Sequence, residues 1–543
     1  MILRNPLNFI NQFFIKIYKQ IRNIYLNSSY YDKKISKIYY RDLIYKPSPH
    51  LLSSLIKYQK KKINVDNITI ENMWDYKKVD NKNSKKLNNF YWFFSLDLKS
   101  SKEITKKIVS DWIRKNHKYN SNSWEFDVTA KRIIAWLSNH SLTIEEGNKD
   151  YLDLLNKIIQ KQINHLINEI NSSKVINDKL IGCAAIILVG LSYKDEKKYL
   201  PFGLNLLKKI SNVNFDTSGF PKSRSIKQLI FYLKYYILIR EWFKEAQVEV
   251  PDYINETIYY LGQAYAFVWK NIKVDILMNG NNNSNNFEFD QYLKRFSYSF
   301  KNESKEFGGY AILYNKQISI IMDIGSSPSH KFSSEYQSGA LSFEINSNGK
   351  KLISNCGHYE GKNNKLVKIS KSTATHSTLI IDENSSCNYR KYNHKFLVSN
   401  GLKVLKKNIV FEKNYWKLGA SHDGYQKKYN TIHEREIEFY PEKFKFIGTD
   451  KIINKKINFN IKFDIRFHLK PDIKLMKTQD NKAILIELED EGWRFTCDKF
   501  DINIDNGLYF GNKNSYTQNQ NIFISGITNN QNENIIWQLS KIL

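Results

Sequence analysis

Four of the eleven histidines in this 543-residue chain, His376, His422, His433 and His468, fall inside short polar clusters of its C-terminal half. One cluster runs from Tyr336 to Glu344 (Tyr-Gln-Ser-Gly-Ala-Leu-Ser-Phe-Glu) and is followed by Leu352 to Gly357. The next is Thr373-Ala374-Thr375-His376-Ser377-Thr378. Ser421-His422-Asp423-Gly424-Tyr425 follows, with Ile432-His433-Glu434-Arg435 shortly after, and Arg466-Phe467-His468-Leu469 closes the series. Imidazoles gathered from neighbouring strands could bind a divalent metal or act as acid and base. Taken singly, each also reads as a hydrogen-bonded structural histidine. His422-Asp423-Gly424-Tyr425 also reads as a turn shaped by Asp423 and Gly424.

Two kinds of element must position these groups. From Ser101 to about Lys273 apolar residues recur at helical spacing: Ile104, Ile108, Trp112 and Ile113, then Val128, Ile133, Ile134 and Trp136, then Leu155, Ile158 and Ile159. Leu180–Leu191 is apolar nearly all round and predicts a buried helix. Short breaks between helices argue for antiparallel hairpins, which stack into an (α/α) toroid or a plain bundle. The run Asn279–Asn286 reads as a linker or exposed loop. Beyond it the period changes to two. Strands are expected over Ile318–Ile324, Ala340–Ile345, Ser377–Ile381, Arg435–Phe439, Phe444–Ile447, Asn458–Phe467, Ala483–Leu488 and Trp493–Thr496, with more in Leu402–Gly419. Asn348-Gly349 predicts a hairpin turn. Many short strands indicate an antiparallel β-sandwich. The expected division is a helical extension over residues 1–84, a toroid over 85–280 and a sandwich over 287–543.

Composition sets further bounds. The formal charge of +29 would attract polyanions, whether nucleic acid, an anionic membrane or an acidic polysaccharide. The same excess of Lys, Asn and Ile is also what AT-rich coding produces. Arg is not clustered on any helix and no nucleic-acid motif is present, so nucleic acid is not the expected partner. The four cysteines form no CxxC pair and read as buried thiols. No stretch has the roughly 20 apolar residues of a membrane span. Met1 to Leu26, with Lys16, Lys19 and Arg22, reads as an amphipathic helix lying on lipid or protein, or packing onto the rest of the chain.

The order and spacing of the polar clusters resemble the C-terminal domain of the heparinase II/III family, and most closely its alphaproteobacterial branch. The strand pair Gly339–Glu344 with Leu352–Gly357 and the His376-Ser377-Thr378 step carry the likeness. In the first half, Trp92, Trp124, Arg132 and Trp136 fall where the family's toroid has aromatic and arginine positions. Gly219-Phe220-Pro221-Lys222-Ser223-Arg224-Ser225 resembles its Gly-rich, Arg-containing loop.

The resemblance covers roughly residues 85–543. It implies a toroid, a β-sandwich and a cleft for an acidic polysaccharide, in a protein of the periplasm or cell envelope. The N-terminus has no clear signal-peptide form, so the cytoplasm stays open.

Characterised members are lyases that remove the C5 proton of a uronate while the C4 oxygen leaves. Such an elimination needs the carboxylate charge offset, plus a base and an acid, usually Tyr and His. The resemblance assigns catalytic roles to His376, Arg224, His422, His433 and Asn177. It assigns substrate contacts to Trp124, Arg132, Gln228, Gln337, Tyr425, Arg435 and His468. The lyases have a metal-binding histidine near Gln337 and an aspartate at Asn355, so only His376 matches a three-ligand set. Gln and Asn are weak zinc ligands, which leaves a degenerate metal site at His376, Gln337 and Asn355. A tyrosine expected soon after the loop arginine is missing until Tyr232. A non-catalytic acidic-glycan-binding protein of envelope polysaccharide assembly is the alternative reading.

Overall fold

The computed structural model describes residues 6–37, 42–55, 73–74, 81–97, 101–145, 147–173, 175–194, 198–284, 286–392, 395–454, 460–512, 514–528 and 532–542. A helical N-terminal region is followed by antiparallel sheets. Two compact units are formed, and neither is one continuous stretch. Unit 1 takes residues 1–213, 231–258 and 288–296, and unit 2 takes 214–230, 259–287 and 297–543. The start of the strand expected over Asn458–Phe467 lies outside the described residues.

The principal helices are α1 (Pro6–Leu26), α2 (Ser29–Ile35), α3 (Lys102–Asn116), α4 (Phe126–Ser138), α5 (Lys149–Glu169), α6 (Ile176–Ser192), α7 (Tyr199–Asn214), α8 (Ile226–Glu245) and α9 (Asp252–Tyr265). Side-chain caps start several of them. The Ser101 hydroxyl accepts from the Ile104 N–H at the head of α3, and Asn148 Oδ1 accepts from the Tyr151 N–H at the head of α5. Every residue of α6 from Leu180 to Ser192 is buried, as its uninterrupted apolar sequence requires. Arg132, on α4, is wholly enclosed in unit 1. Its guanidinium donates to Gln162 Oε1 and to the carbonyls of Asn88 and Ser123, and lies 4.0 Å above the Trp112 ring.

Unit 2 is built on three antiparallel sheets and a hairpin. β1 (Glu306–Phe307), β2 (Tyr310–Tyr314), β3 (Ile318–Asp323), β4 (Phe343–Ser347) and β5 (Lys350–Ile353) form a sheet in chain order. β4 and β5 meet at Asn348-Gly349, both with positive φ, the predicted hairpin. β6 (Leu379–Ile381) joins β13 (Lys462–His468), β17 (Ile502–Tyr509) and β18 (Thr517–Ile527) in the order β17-β18-β13-β6. β7 (Asn388–Tyr392) and β8 (Lys395–Asn400) form the separate hairpin.

The largest sheet holds β9 (Val404–Phe411), β10 (Trp416–His422), β11 (Thr431–Tyr440), β12 (Lys445–Asn454), β14 (Lys474–Lys477), β15 (Ala483–Leu488), β16 (Glu491–Cys497) and β19 (Glu533–Lys541). Its order is β14-β15-β16-β19-β12-β11-β10-β9. Aromatic rings from all three sheets meet in one core. Phe343 of β4 stacks 5.4 Å from Trp537 of β19, and Phe467 of β13 lies 4.9 Å from the same indole.

The indole has room only because Gly448 faces it across β12 and β19. A Cβ at Gly448 would fall 2.0 Å from the Trp537 ring. Gly448→Ala is therefore expected to destabilise unit 2 by about 1–3 kcal/mol through overpacking. Chemical denaturation of the variant measures this, and an unchanged midpoint contradicts the packing described.

Candidate functional site

Arg224 is the centre of one buried polar assembly in unit 2. It sits in the loop before α8 with φ of 60°, and its side chain is about nine-tenths buried. The guanidinium donates to Asp323 Oδ1 at 2.6 Å and to the carbonyls of Gly309 and Gly325 at 2.8 and 2.9 Å. A Cβ at Gly325 would lie 2.3 Å from the Arg224 guanidinium carbon, so glycine is what lets the cation approach the backbone. Burial opposes the charge on Arg224, but Asp323, Tyr310 and Tyr336 together outweigh it and the net pKa shift is upward.

The second oxygen of Asp323 accepts from Asn279 Nδ2 at 3.0 Å. Asn279 also donates to the Tyr310 hydroxyl, which in turn donates to the Arg224 carbonyl at 2.6 Å.

Asn279 opens the segment read from sequence as a linker or exposed loop, and the structure corrects that reading. Asn279, Asn281, Asn282 and Asn286 are each 4% exposed or less. Asn282 donates to Glu360 Oε1 and accepts from the His358 N–H. The Gly280 N–H donates to Gln337 Oε1 at 3.0 Å. These asparagines are buried because each amide finds a partner: Asn279 and Asn282 far away in sequence, Asn281 at the Ile276 carbonyl and Asn286 at Asp275.

Arg224 also lines a cavity of about 450 Å³ within unit 2, together with Lys222, Lys407, Gly308, Gly309 and Gly325. Asp216 lines it too, and Lys407 is paired with Glu306. Gln228 is 8% exposed and accepts from the Ser223 hydroxyl, so it braces the Arg224 loop.

The degenerate metal set can be tested on its hydrogen bonds. Gln337 spends its oxygen on the Gly280 N–H and its NH₂ on the Gly357 and Ser370 carbonyls. Asn355 spends its oxygen on the Ser377 N–H at 2.8 Å, and its NH₂ faces Glu344 Oε1 at 3.3 Å. His376 Nδ1 donates to the Ser372 carbonyl at 3.0 Å, leaving the Nε2 lone pair beside Gly339 with no partner among the described residues. Both amide oxygens are thus already committed to backbone donors, and these residues do not fit a metal. No group of three or more His, Cys, Asp and Glu side chains among the described residues is arranged to hold one.

The other histidines lie deeper. His433 and Arg435 alternate inward along β11. His422 Nδ1 accepts from the Gly424 N–H, so its Nε2 carries the proton toward His433 Nδ1 at 3.3 Å. His433 Nε2 then donates to Asp450 Oδ1 at 2.7 Å. Arg435 grips both Asp450 oxygens, at 2.8 and 2.9 Å, and the Trp537 indole donates to Oδ2. Burial acts against the Asp450 carboxylate, yet Arg435 and His433 outweigh it and hold its pKa well below the usual range. The network is closed: His422, His433, Arg435 and Asp450 are each 1% exposed or less.

Tyr425 donates to the Leu379 carbonyl and His468 Nε2 to the Ala374 carbonyl, both inside unit 2. These expected catalytic and substrate positions therefore present no surface.

In unit 1, Trp124 and Arg132 are likewise fully buried, with the Trp124 indole donating to the Asn116 carbonyl. Asn177 is half-buried in the first turn of α6, and its Oδ1 has no partner among the described residues. The N-cap of α6 is Val175. Asp178 beside it lies within electrostatic reach of Lys131 and Tyr235.

Tyr336 is a residue the sequence did not single out for a site role. It is fully buried and within electrostatic reach of both Arg224 and Asp323. Its hydroxyl has the Cys387 thiol as neighbour and no oxygen or nitrogen partner among the described residues. Burial pushes its pKa well above 10.0. Burial also pulls His376 down to about 4, with Asp323 again within reach. Its only signal in the sequence was its place at the head of the Tyr336–Glu344 cluster.

Comparison with known proteins supports the architecture. The family described as heparinase II/III-like, C-terminal, matches residues 303–538. A mutant heparan sulfate lyase from Pedobacter heparinus is 14% identical, with a TM-score of 0.67, over 94% of this chain and 87% of that one. A heparinase III gene product is 15% identical, with a TM-score of 0.68, over 91% and 88% respectively. A further heparinase III structure is 14% identical at a TM-score of 0.67, over 94% and 88%. At these identities the likeness is one of fold. No curated protein matches the sequence.

Two outcomes follow from the geometry. Chelators are expected to leave thermal unfolding unchanged, whereas Gln337→His with Asn355→Asp should create zinc-dependent stabilisation around His376. A chelator-induced loss of stability in the native chain contradicts the amide bonding described.

The second concerns pH. His165, His358, His376, His422, His433 and His468 are all buried, and burial lowers every one of them from 6.5. The unfolded chain binds more protons below that value, so stability should be full above about pH 7 and fall as pH drops from 6.5 toward 4. A histidine held at about 4, such as His376, costs on the order of 1–2 kcal/mol at about pH 5. Urea unfolding across the range tests this, and a flat profile contradicts it.

Proposed function

Residues 303–538 form a heparinase II/III-like C-terminal domain, and from that premise we propose that the chain is a polysaccharide lyase-like protein that cleaves an acidic, uronate-containing polysaccharide by β-elimination. On this reading the helical region is an (α/α) toroid, the sheets are an antiparallel β-sandwich, and the place of work is the cell envelope. The observation that carries the proposal is the cavity in unit 2 where Lys222 and Arg224 meet residues of that domain, in a chain whose fold resembles that of the heparinases.

The chemistry asks for three things, and unit 2 offers a candidate for each. A uronate carboxylate held against Lys222 and Arg224 has its charge offset, which makes the C5 proton removable. His376 is neutral at pH 7 and has a free Nε2 lone pair, so it can take that proton. The C5–H electrons form the C4–C5 double bond as the C4–O bond breaks. Tyr336, kept protonated by burial, supplies the proton to the leaving oxygen.

One observation favours the second reading, a non-catalytic glycan-binding protein of envelope polysaccharide assembly. Tyr336 and His376 are only 0% and 1% exposed, while Lys222 is more open than either. A panel of uronate polymers separates the two readings. The ultraviolet absorbance of an unsaturated uronate should appear on at least one polymer. It should fall by about 10²–10⁴ in Tyr336→Phe and His376→Gln at unchanged unfolding temperature. Binding without absorbance establishes the second reading, and neither binding nor absorbance overturns both.

A further inference from the structure

Helix α1 is oriented against its own polarity. Its lower side faces unit 1: Leu26 is 5% exposed, and Arg22 is paired with Glu169 of α5. Lys19, Arg22, Asn23 and Leu26 line a cavity of about 480 Å³ there, with Glu169 among its walls. The apolar side faces away. Phe14 is 63% exposed, Tyr18 62%, Ile21 62% and Ile24 72%. At about 100° per residue, Phe14, Tyr18 and Ile21 fall within one narrow arc, with Tyr25 on the same line and Ile24 beside it. Tyr30, at the head of α2, is 70% exposed, and its ring lies 6.4 Å from that of Tyr25. A single exposed apolar residue is ordinary, but a continuous stripe of this kind marks an interaction surface.

Charge selects the occupant. Residues 1–31 contain no aspartate or glutamate, and beside Arg22, which is paired with Glu169, they carry Arg4, Lys16 and Lys19. A cationic segment in a chain of net charge +29 repels a second copy of itself and attracts an anionic surface. Tyrosines around an aliphatic stripe suit the boundary between headgroups and acyl chains, where one end of the ring is dry and the hydroxyl wet. No helix among the described residues is long and apolar enough to cross a membrane, so α1 would lie along the surface.

We propose that α1, with Tyr30, docks unit 1 onto a bilayer containing anionic lipid, seating Phe14, Tyr18, Ile21 and Ile24 at the headgroup boundary. This is independent of any catalytic activity. The full chain should co-sediment with phosphatidylcholine vesicles containing phosphatidylglycerol, much less with phosphatidylcholine alone, and less again as salt is raised. The triple variant Phe14→Ser, Ile21→Ser, Ile24→Ser keeps every charge and alters only exposed positions. It should bind anionic vesicles at least about tenfold more weakly, with unchanged circular dichroism. Absence of sedimentation with anionic vesicles overturns the proposal, as does binding that the triple variant leaves intact. Concentration-dependent dimerisation of the native chain, lost in the triple variant, assigns the stripe to a second copy and overturns it as well.

Discussion

Unit 2 depends on one carboxylate that cannot be left alone. Asp323 ends β3 at 1% exposure, where an unpaired charge would cost several kcal/mol. Its two oxygens are divided between a cation and an amide, Arg224 on one and Asn279 on the other. Each partner then brings a segment distant in sequence. Arg224 brings the loop before α8, and its remaining N–H groups fix the backbone turns at Gly309 and Gly325. Asn279 brings the asparagine loop, whose next residue, Gly280, is tied to Gln337. The walls of the cationic cavity are thus held in place from behind by a charge that does not face solvent.

The interior of the large sheet solves the same problem with Asp450. There the satisfying partners are Arg435, His433 and Trp537, on strands adjacent in the sheet or joined to it by register. The two assemblies differ in consequence. The Asp450 network is closed, every member being engaged, and its histidines have no proton to exchange with a ligand. Around Asp323, His376 and Tyr336 retain an imidazole nitrogen and a phenol without a hydrogen-bonding oxygen or nitrogen. Buried polar atoms of that kind are rare enough in folded proteins to ask for a purpose. Both lie within electrostatic reach of Asp323, which is why the proposed lyase chemistry is sought at this assembly and not at Asp450.

Much of this was legible in the sequence where a local period carries the information. The strands of β3, β11, β12, β15 and β16, the Asn-Gly hairpin and the buried α6 all follow from spacing. The asparagine loop was not legible, because an amide at Asn279 or Asn282 is buried only if Tyr310, Asp323 or Glu360 meets it, and no local pattern reports that. The histidines were half-legible. Their residue type suggested chemistry, but His433 and Arg435 share the inward register of Ile437 and Phe439, and period two along β11 was the available sign that they are interior. Arg132 escaped for a related reason: its buried guanidinium donates to two carbonyls and a glutamine from other segments and to Thr129 one turn earlier, so a cation stands on the core side of α4.

The amides at Gln337 and Asn355 tie their surroundings together without a cation. A carboxylate or imidazole ligand offers lone pairs and needs a cation to face. An amide carries its own donors, and here those donors replace the cation by reaching Gly357, Ser370 and Glu344, while each oxygen takes a backbone N–H. The segments these amides join are held by hydrogen bonds, all but the one to Glu344 between neutral groups, which are directional and do not depend on ion supply. On the lyase reading, the offset of a substrate carboxylate falls to Lys222 and Arg224. Arg224 already spends much of its charge on Asp323, so on that reading the hold of the cavity on an acidic sugar is tied to how completely the inner pair is formed.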